Sequence, residues 1–198
     1  MASTDSLRLF LAVLLPDEVR AQLDRALAPL TPDGREVRWV ARDLWHLTLV
    51  FLGERPATQV PAILAAARAA TIVAPFTLQL GGAGAFPSPA RPRVLWVGVA
   101  TGADRLLGLQ RAVQASLVAG GLAEPESRFS AHLTVGRLRD HVAPARLAAV
   151  GAQWSAQQLP ALPPFTVHAV TLMQSVLGPG GPRYTALHAI PLAAPAQG

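Results

Sequence analysis

Trp45-His46-Leu47-Thr48-Leu49-Val50-Phe51-Leu52 and Ala131-His132-Leu133-Thr134-Val135-Gly136-Arg137 carry the same reactive side chains at the same spacing: a histidine and, two residues on, a threonine. Both segments are short, apolar and rich in β-branched or aromatic residues, which predicts buried strands. Side chains two apart share a strand face. His46 and Thr48 then point one way, with Leu47, Leu49 and Phe51 behind them; His132 and Thr134 point one way, with Leu133 and Val135 behind. A lone strand histidine is more often a satisfied structural residue than a catalyst. Two copies at similar depth in the two halves of one chain predict two units facing each other across a cleft. Two imidazoles, two hydroxyls and an arginine converging on one point suit an anionic phosphorus centre, since imidazole takes up and releases protons near neutral pH.

The rest of the chain must supply the scaffold. Its 198 residues are enough to bury a real core, and with 51% apolar and 15% charged residues it reads as globular. No apolar run reaches membrane-spanning length. The longest candidate, Leu7 to Leu15, is interrupted by Arg8 and stops at Pro16, and Asp5 and Arg8 break any secretory-signal pattern. A cytosolic location is the default expectation, with no membrane partner. The absence of cysteine excludes disulfides, thiol nucleophiles and Cys-ligated zinc. All 17 basic residues are Arg, as the GC-rich-codon bias toward Ala, Pro, Gly and Arg would produce. With no Lys, a Walker-type phosphate loop and lysyl-nucleotide or Schiff-base chemistry are excluded. The net charge of +5 favours anionic partners.

Strands are expected over Leu7–Leu15, Val37–Val40, Phe76–Leu80, Val94–Val99, Phe165–Met173 and Tyr184–Ile190, besides the two His-Leu-Thr strands. Helices are expected from Pro16-Asp17-Glu18 to near Pro29, over Thr58–Ile72, over Asp104–Ala119 and, shorter, over Pro144–Val150. Thr31-Pro32-Asp33-Gly34 and Gly178-Pro179-Gly180-Gly181-Pro182 read as turns, and the end of the chain reads as frayed. Gly53 should close the first His-Leu-Thr strand. Gly81-Gly82-Ala83-Gly84-Ala85-Phe86-Pro87 reads as a loop, and Ser88–Arg93 as the junction between halves. His132 lies 86 residues after His46 (132 − 46), and the same offset maps Leu9-Phe10-Leu11-Ala12-Val13 onto Leu95-Trp96-Val97-Gly98-Val99. That match at fixed spacing is what a duplication leaves.

The paired motifs His46-Leu47-Thr48-Leu49 and His132-Leu133-Thr134-Val135 resemble those of the two-histidine (2H) phosphoesterases. Within them the chain is most similar to the RNA 2′,3′-cyclic phosphodiesterases, also called 2′-5′ RNA ligases. Arg8–Ala12, His46–Gly53, Phe86-Pro87, Arg93–Val99, Phe129–Arg137 and Tyr184–Leu187 carry the likeness over nearly the whole chain. The resemblance implies an α+β, bilobal fold in which two pseudo-symmetric antiparallel sheets line a central cleft, with helices outside. It implies one domain over 1–198, in motif halves of roughly 1–90 and 91–198 that could exchange strands. It implies hydrolysis of a 2′,3′-cyclic phosphate end to a 2′-phosphate with no metal and no cofactor, and in reverse a 2′-5′ joining of RNA ends. Under it His46 is the general acid and His132 the general base, while Thr48, Thr134 and Arg137 hold the phosphate. Gly136 stands where Ala is more usual and should alter only packing.

Tyr184, Phe129, Phe10 and Phe51 are candidate substrate contacts through base stacking; core packing is the plainer reading for most of them, with Tyr184 the best exception. His141, Arg139 and Arg55 read as surface residues, and His168 and His188 as structural. The partners implied are RNA with a cyclic-phosphate end or 2′,3′-cyclic nucleotides; no obligate protein partner is implied, and nothing demands more than a monomer. Two alternatives stand beside this reading: a non-catalytic RNA- or nucleotide-binding module on the same fold, and a phosphodiesterase for a small cyclic nucleotide sugar.

Overall fold

The computed structural model describes residues 6–30, 35–126, 128–179 and 181–193. The turn expected at 31–34 and the chain end from 194 lie outside the described residues, as does Gly180 within the turn expected at 178–182. The fold is α+β with antiparallel strands, as expected. β1 (Ser6–Leu14), α1 (Asp17–Leu27), β2 (Val37–Trp39), β3 (His46–Pro56), α2 (Val60–Ala70), β4 (Phe76–Phe86), β5 (Val94–Thr101), α3 (Ala103–Ala119), β6 (His132–Leu138), α4 (Pro144–Ser155), β7 (Phe165–Val167), β8 (Ala169–Gly178) and β9 (Gly181–Pro191) follow in that order. The strands lie side by side as β7-β4-β5-β6-β3-β1-β8-β9, with β2 also on β6. The β7-β4-β5-β6 part and the β3-β1-β8-β9 part touch through a single cross-strand pair, Leu47 with Leu133.

One face of this sheet is closed. Leu9, Leu11 and Val13 of β1, Leu47 and Leu49 of β3, Leu95 and Val97 of β5, and Leu133 of β6 share one core with the apolar sides of all four helices. Each fully buried leucine there stabilises the fold by about 1.5–3 kcal/mol relative to exposure, so the leucine between each His and Thr is an anchor. The opposite face carries a smaller cluster of Phe10, Ala12 and Met173, against which Tyr184 packs. β1 is therefore apolar on both faces, which explains its unbroken apolar run.

Four expectations differ from the structure. Gly53 does not end β3; the strand continues to Pro56, and Gly53, at φ 70°, sits where the register with β1 shifts. Gly81 to Ala85 is not a loop but part of β4. The glycines there admit a neighbour: a Cβ on Gly84 would lie 2.2 Å from the Trp96 ring. The expected strand 165–173 is two strands, β7 pairing with β4 and β8 with β1 and β9. α4 runs on past Val150 to Ser155, its last turn held by Trp154, which is buried and donates to the Trp96 carbonyl. None of the described helices is long and apolar enough to cross a membrane.

Candidate active site

His46 opens β3 and His132 opens β6. Because Leu47 lies opposite Leu133 in an antiparallel pair, His46 falls opposite Thr134 and Thr48 opposite His132. The four side chains occupy the corners of one patch on the face turned away from the core. The two histidines are diagonal neighbours, which in a regular pair sit about 7–8 Å apart. All four line a cleft of about 300 Å³, together with Arg137, Phe51, Phe86 and Tyr184.

Both rings are held the same way. His46 Nδ1 lies 2.8 Å from the Leu44 carbonyl, and His132 Nδ1 lies 2.8 Å from the Ser130 carbonyl. A carbonyl only accepts, so each Nδ1 donates, which fixes the ring's N–H on Nδ1 and leaves Nε2 without one in the neutral ring. Their surroundings differ. Phe10 and Tyr184 flank His46 at ring-centre distances of 4.9 and 5.1 Å, while Phe86 meets His132 edge-on at 4.9 Å. Burial holds His46 below the ordinary histidine range; the Leu44 carbonyl opposes this by favouring the charged ring, and the nearby His132 adds to the lowering.

Arg137 and Phe51 reach the cleft through an irregularity. Five is an odd spacing, so in a regular strand residue 137 would face away from His132. The register of β6 on β5 steps from Trp96–Thr134 to Leu95–Gly136, leaving Val135 as an extra residue. On β3 the register on β1 steps from Ala12–Thr48 to Leu11–Val50, leaving Leu49 extra. Each bulge falls three residues after its histidine and turns the residue at the fifth place onto the cleft face. Phe51 is accordingly 67% exposed, where plain alternation places it in the core.

The other candidates divide. Tyr184 lines the cleft. Phe10 does not serve as an open stacking surface: it is 2% exposed and its contact is with the His46 ring. Phe129 packs against the main core outside the cleft lining. Arg55 donates to the Leu52 carbonyl, and His141, Arg139, His168 and His188 are exposed and away from the cleft lining. Sequence reasoning missed Phe86, Arg38 and Trp39, which also line the cleft. Val37 and Trp39 together crowd position 136: a Cβ there would lie 2.7 Å from Val37 and 2.9 Å from the Trp39 ring.

A model of LigT-like phosphoesterases matches residues 13–96, which include the first motif. The chain is 36% identical over 186 residues to the RNA 2′,3′-cyclic phosphodiesterase of Thermus thermophilus, covering 91% of this chain and 88% of the relative. It is 33% identical over 178 residues to that of Archaeoglobus fulgidus, covering 90% and 96%. Among solved structures, TT0787 of Thermus thermophilus superposes with a TM-score of 0.75 at 32% identity, over 95% of this chain and 99% of the other. E. coli LigT complexed with 3′-AMP does so at 0.74 and 30% identity, over 95% and 99%.

Proposed function

The chain belongs to the RNA 2′,3′-cyclic phosphodiesterase family of LigT-like two-histidine phosphoesterases, and on that premise we propose that it hydrolyses a 2′,3′-cyclic phosphate end to a 2′-phosphate by acid–base catalysis between His46 and His132. The observation that carries this reading is the matched pair of imidazoles, each with Nδ1 fixed by a backbone carbonyl and each beside a threonine in one cleft. Water forms a bond to phosphorus as His132 Nε2 takes its proton. The bond from phosphorus to O3′ breaks as His46 Nε2–H supplies a proton to the departing oxygen. Thr48 and Thr134 hydroxyls and the Arg137 guanidinium hold the negative charge gathered on the other phosphate oxygens. With the 5′-hydroxyl of a second RNA in place of water, the same displacement joins the ends through a 2′-5′ linkage: the hydroxyl forms the bond to phosphorus as His132 takes its proton, and the bond to O3′ breaks as His46 protonates it. The reading needs no metal, so a chelator is expected to leave the rate unchanged. It also takes the chain as one two-lobed unit built by duplication, which the bulges at matching places after each histidine support.

The test is phosphorus NMR of the product from 2′,3′-cyclic AMP and from a cyclic-phosphate-ended oligonucleotide. The expected signal in both is a 2′-phosphomonoester. Binding without turnover would favour the non-catalytic module, and a 3′-phosphate would refute the assignment of the leaving oxygen.

The aromatic cover of His46 predicts a shift in pH dependence. As the acid, His46 must be protonated, so activity holds below its pKa and falls as pH rises through it. Burial lowers that pKa. Tyr184→Ala admits water to the ring and should therefore move the alkaline limb of kcat/KM to higher pH, whereas Tyr184→Phe keeps the cover and should leave it in place. Equal limbs in both variants would contradict this account of the shift.

A further inference from the structure

One charged side chain in the cleft is unused by the mechanism, and its place is costly as it stands. β2 pairs with β6 so that Arg38 lies directly opposite Arg137. Both are exposed and both line the cleft. Like charges placed opposite each other on neighbouring strands repel. Arg93 and Arg146 have Asp140 and Glu36 as ion-pair partners, whereas neither Arg38 nor Arg137 has a carboxylate within 4.0 Å among the described residues. Among those residues, no carboxylate lines the cleft at all. Two unneutralised guanidiniums side by side are a site for more negative charge than one cyclic phosphodiester carries.

Their position says where that charge lies. β2 and β3 lie on the same side of β6, β3 at Leu133 and β2 at Gly136 to Leu138. Arg38 is thus level with a residue four places further along β6 than the pair that centres the two histidines, roughly 10–13 Å away at strand rise. That is beyond the phosphate held between the imidazoles, and level with Arg137 on the neighbouring strand.

We propose that Arg38 holds the internal phosphate preceding the terminal nucleotide, so that the cleft selects the end of an RNA strand over a free cyclic nucleotide. This rests on the hydrolytic reading above and adds to it a second anion subsite. Arg137 faces the reacting phosphate and Arg38 the next one, and a bound strand neutralises the two together.

Three substrates test it: 2′,3′-cyclic AMP, a cyclic-phosphate-ended dinucleotide, and the same dinucleotide with an uncharged methylphosphonate as its internal linkage. For the unaltered protein, replacing the linkage should lower kcat/KM about tenfold or more, the scale of one hydrogen bond to a charged group. In Arg38→Gln the natural dinucleotide should fall by the same factor, and the methylphosphonate should cost nothing further. The ratio of dinucleotide to cyclic AMP turnover should drop correspondingly. Losses that multiply when both changes are made, or an Arg38→Gln loss as large on cyclic AMP as on the dinucleotide, would overturn the subsite while leaving the hydrolytic reading intact. Failure of the unaltered protein on all three substrates would overturn the hydrolytic reading and the subsite with it.

Discussion

Alanine at either His46 or His132 is expected to lower kcat/KM for 2′,3′-cyclic AMP by about 10²–10⁴, equivalent to about 2.7–5.4 kcal/mol of transition-state stabilisation. The two losses should not multiply in the double variant, because one proton taken and one proton given serve a single displacement. The fold should survive both changes, since the leucines on either side of the sheet seam, and not the imidazoles, hold the strands in the core; far-UV circular dichroism and a urea titration check this. The two roles separate chemically. An analogue with sulfur in place of O3′ has a leaving group that departs without a proton. It should restore turnover to His46→Ala and not to His132→Ala; rescue of the other variant would exchange the acid and the base. The lowered pKa of His46 makes it a readier proton donor once charged, but leaves fewer free molecules charged. Turnover that persists at full rate in either alanine variant would end the two-histidine account.

The second large effect is expected at Arg137. Arg137→Gln should cost about 10²–10³ in kcat, the scale found when a single donor to transition-state charge is removed. Arg137→Lys should recover only part of that, because an ammonium cannot offer the flat two-pronged contact of guanidinium. Thermal stability should not fall in Arg137→Gln, since the substitution removes a charge that faces Arg38 across the strand pair. A variant that loses melting temperature in step with activity would make Arg137 a structural residue and would remove it from the proposed chemistry.

The motifs and their strands were legible because they obey local rules. Alternation located both His-Thr faces, apolar spacing located the helices, and both patterns survive in the structure. What alternation could not give was anything that depends on a partner strand. Phe51 was placed in the core because the extra residue at Leu49 exists only in the register with β1. The cleft-facing position of Arg137 came from the family likeness, and its physical reason, the extra residue at Val135, appears only once β6 lies on β5. Phe86 reaches His132, and Phe10 reaches His46 and Tyr184, across long stretches of chain that no window spans. The glycine run reads as a loop because the reason for Gly84, the Trp96 ring laid on it from β5, lies on another strand.

The sheet hangs together at its middle by one rung, Leu47 against Leu133, while every other neighbouring pair of strands is joined over three residues or more. Drift at that rung is drift in the gap a proton donor and a proton acceptor must keep. Two inert hydrocarbon side chains therefore set the gauge of the machine, and the residues that do chemistry inherit it.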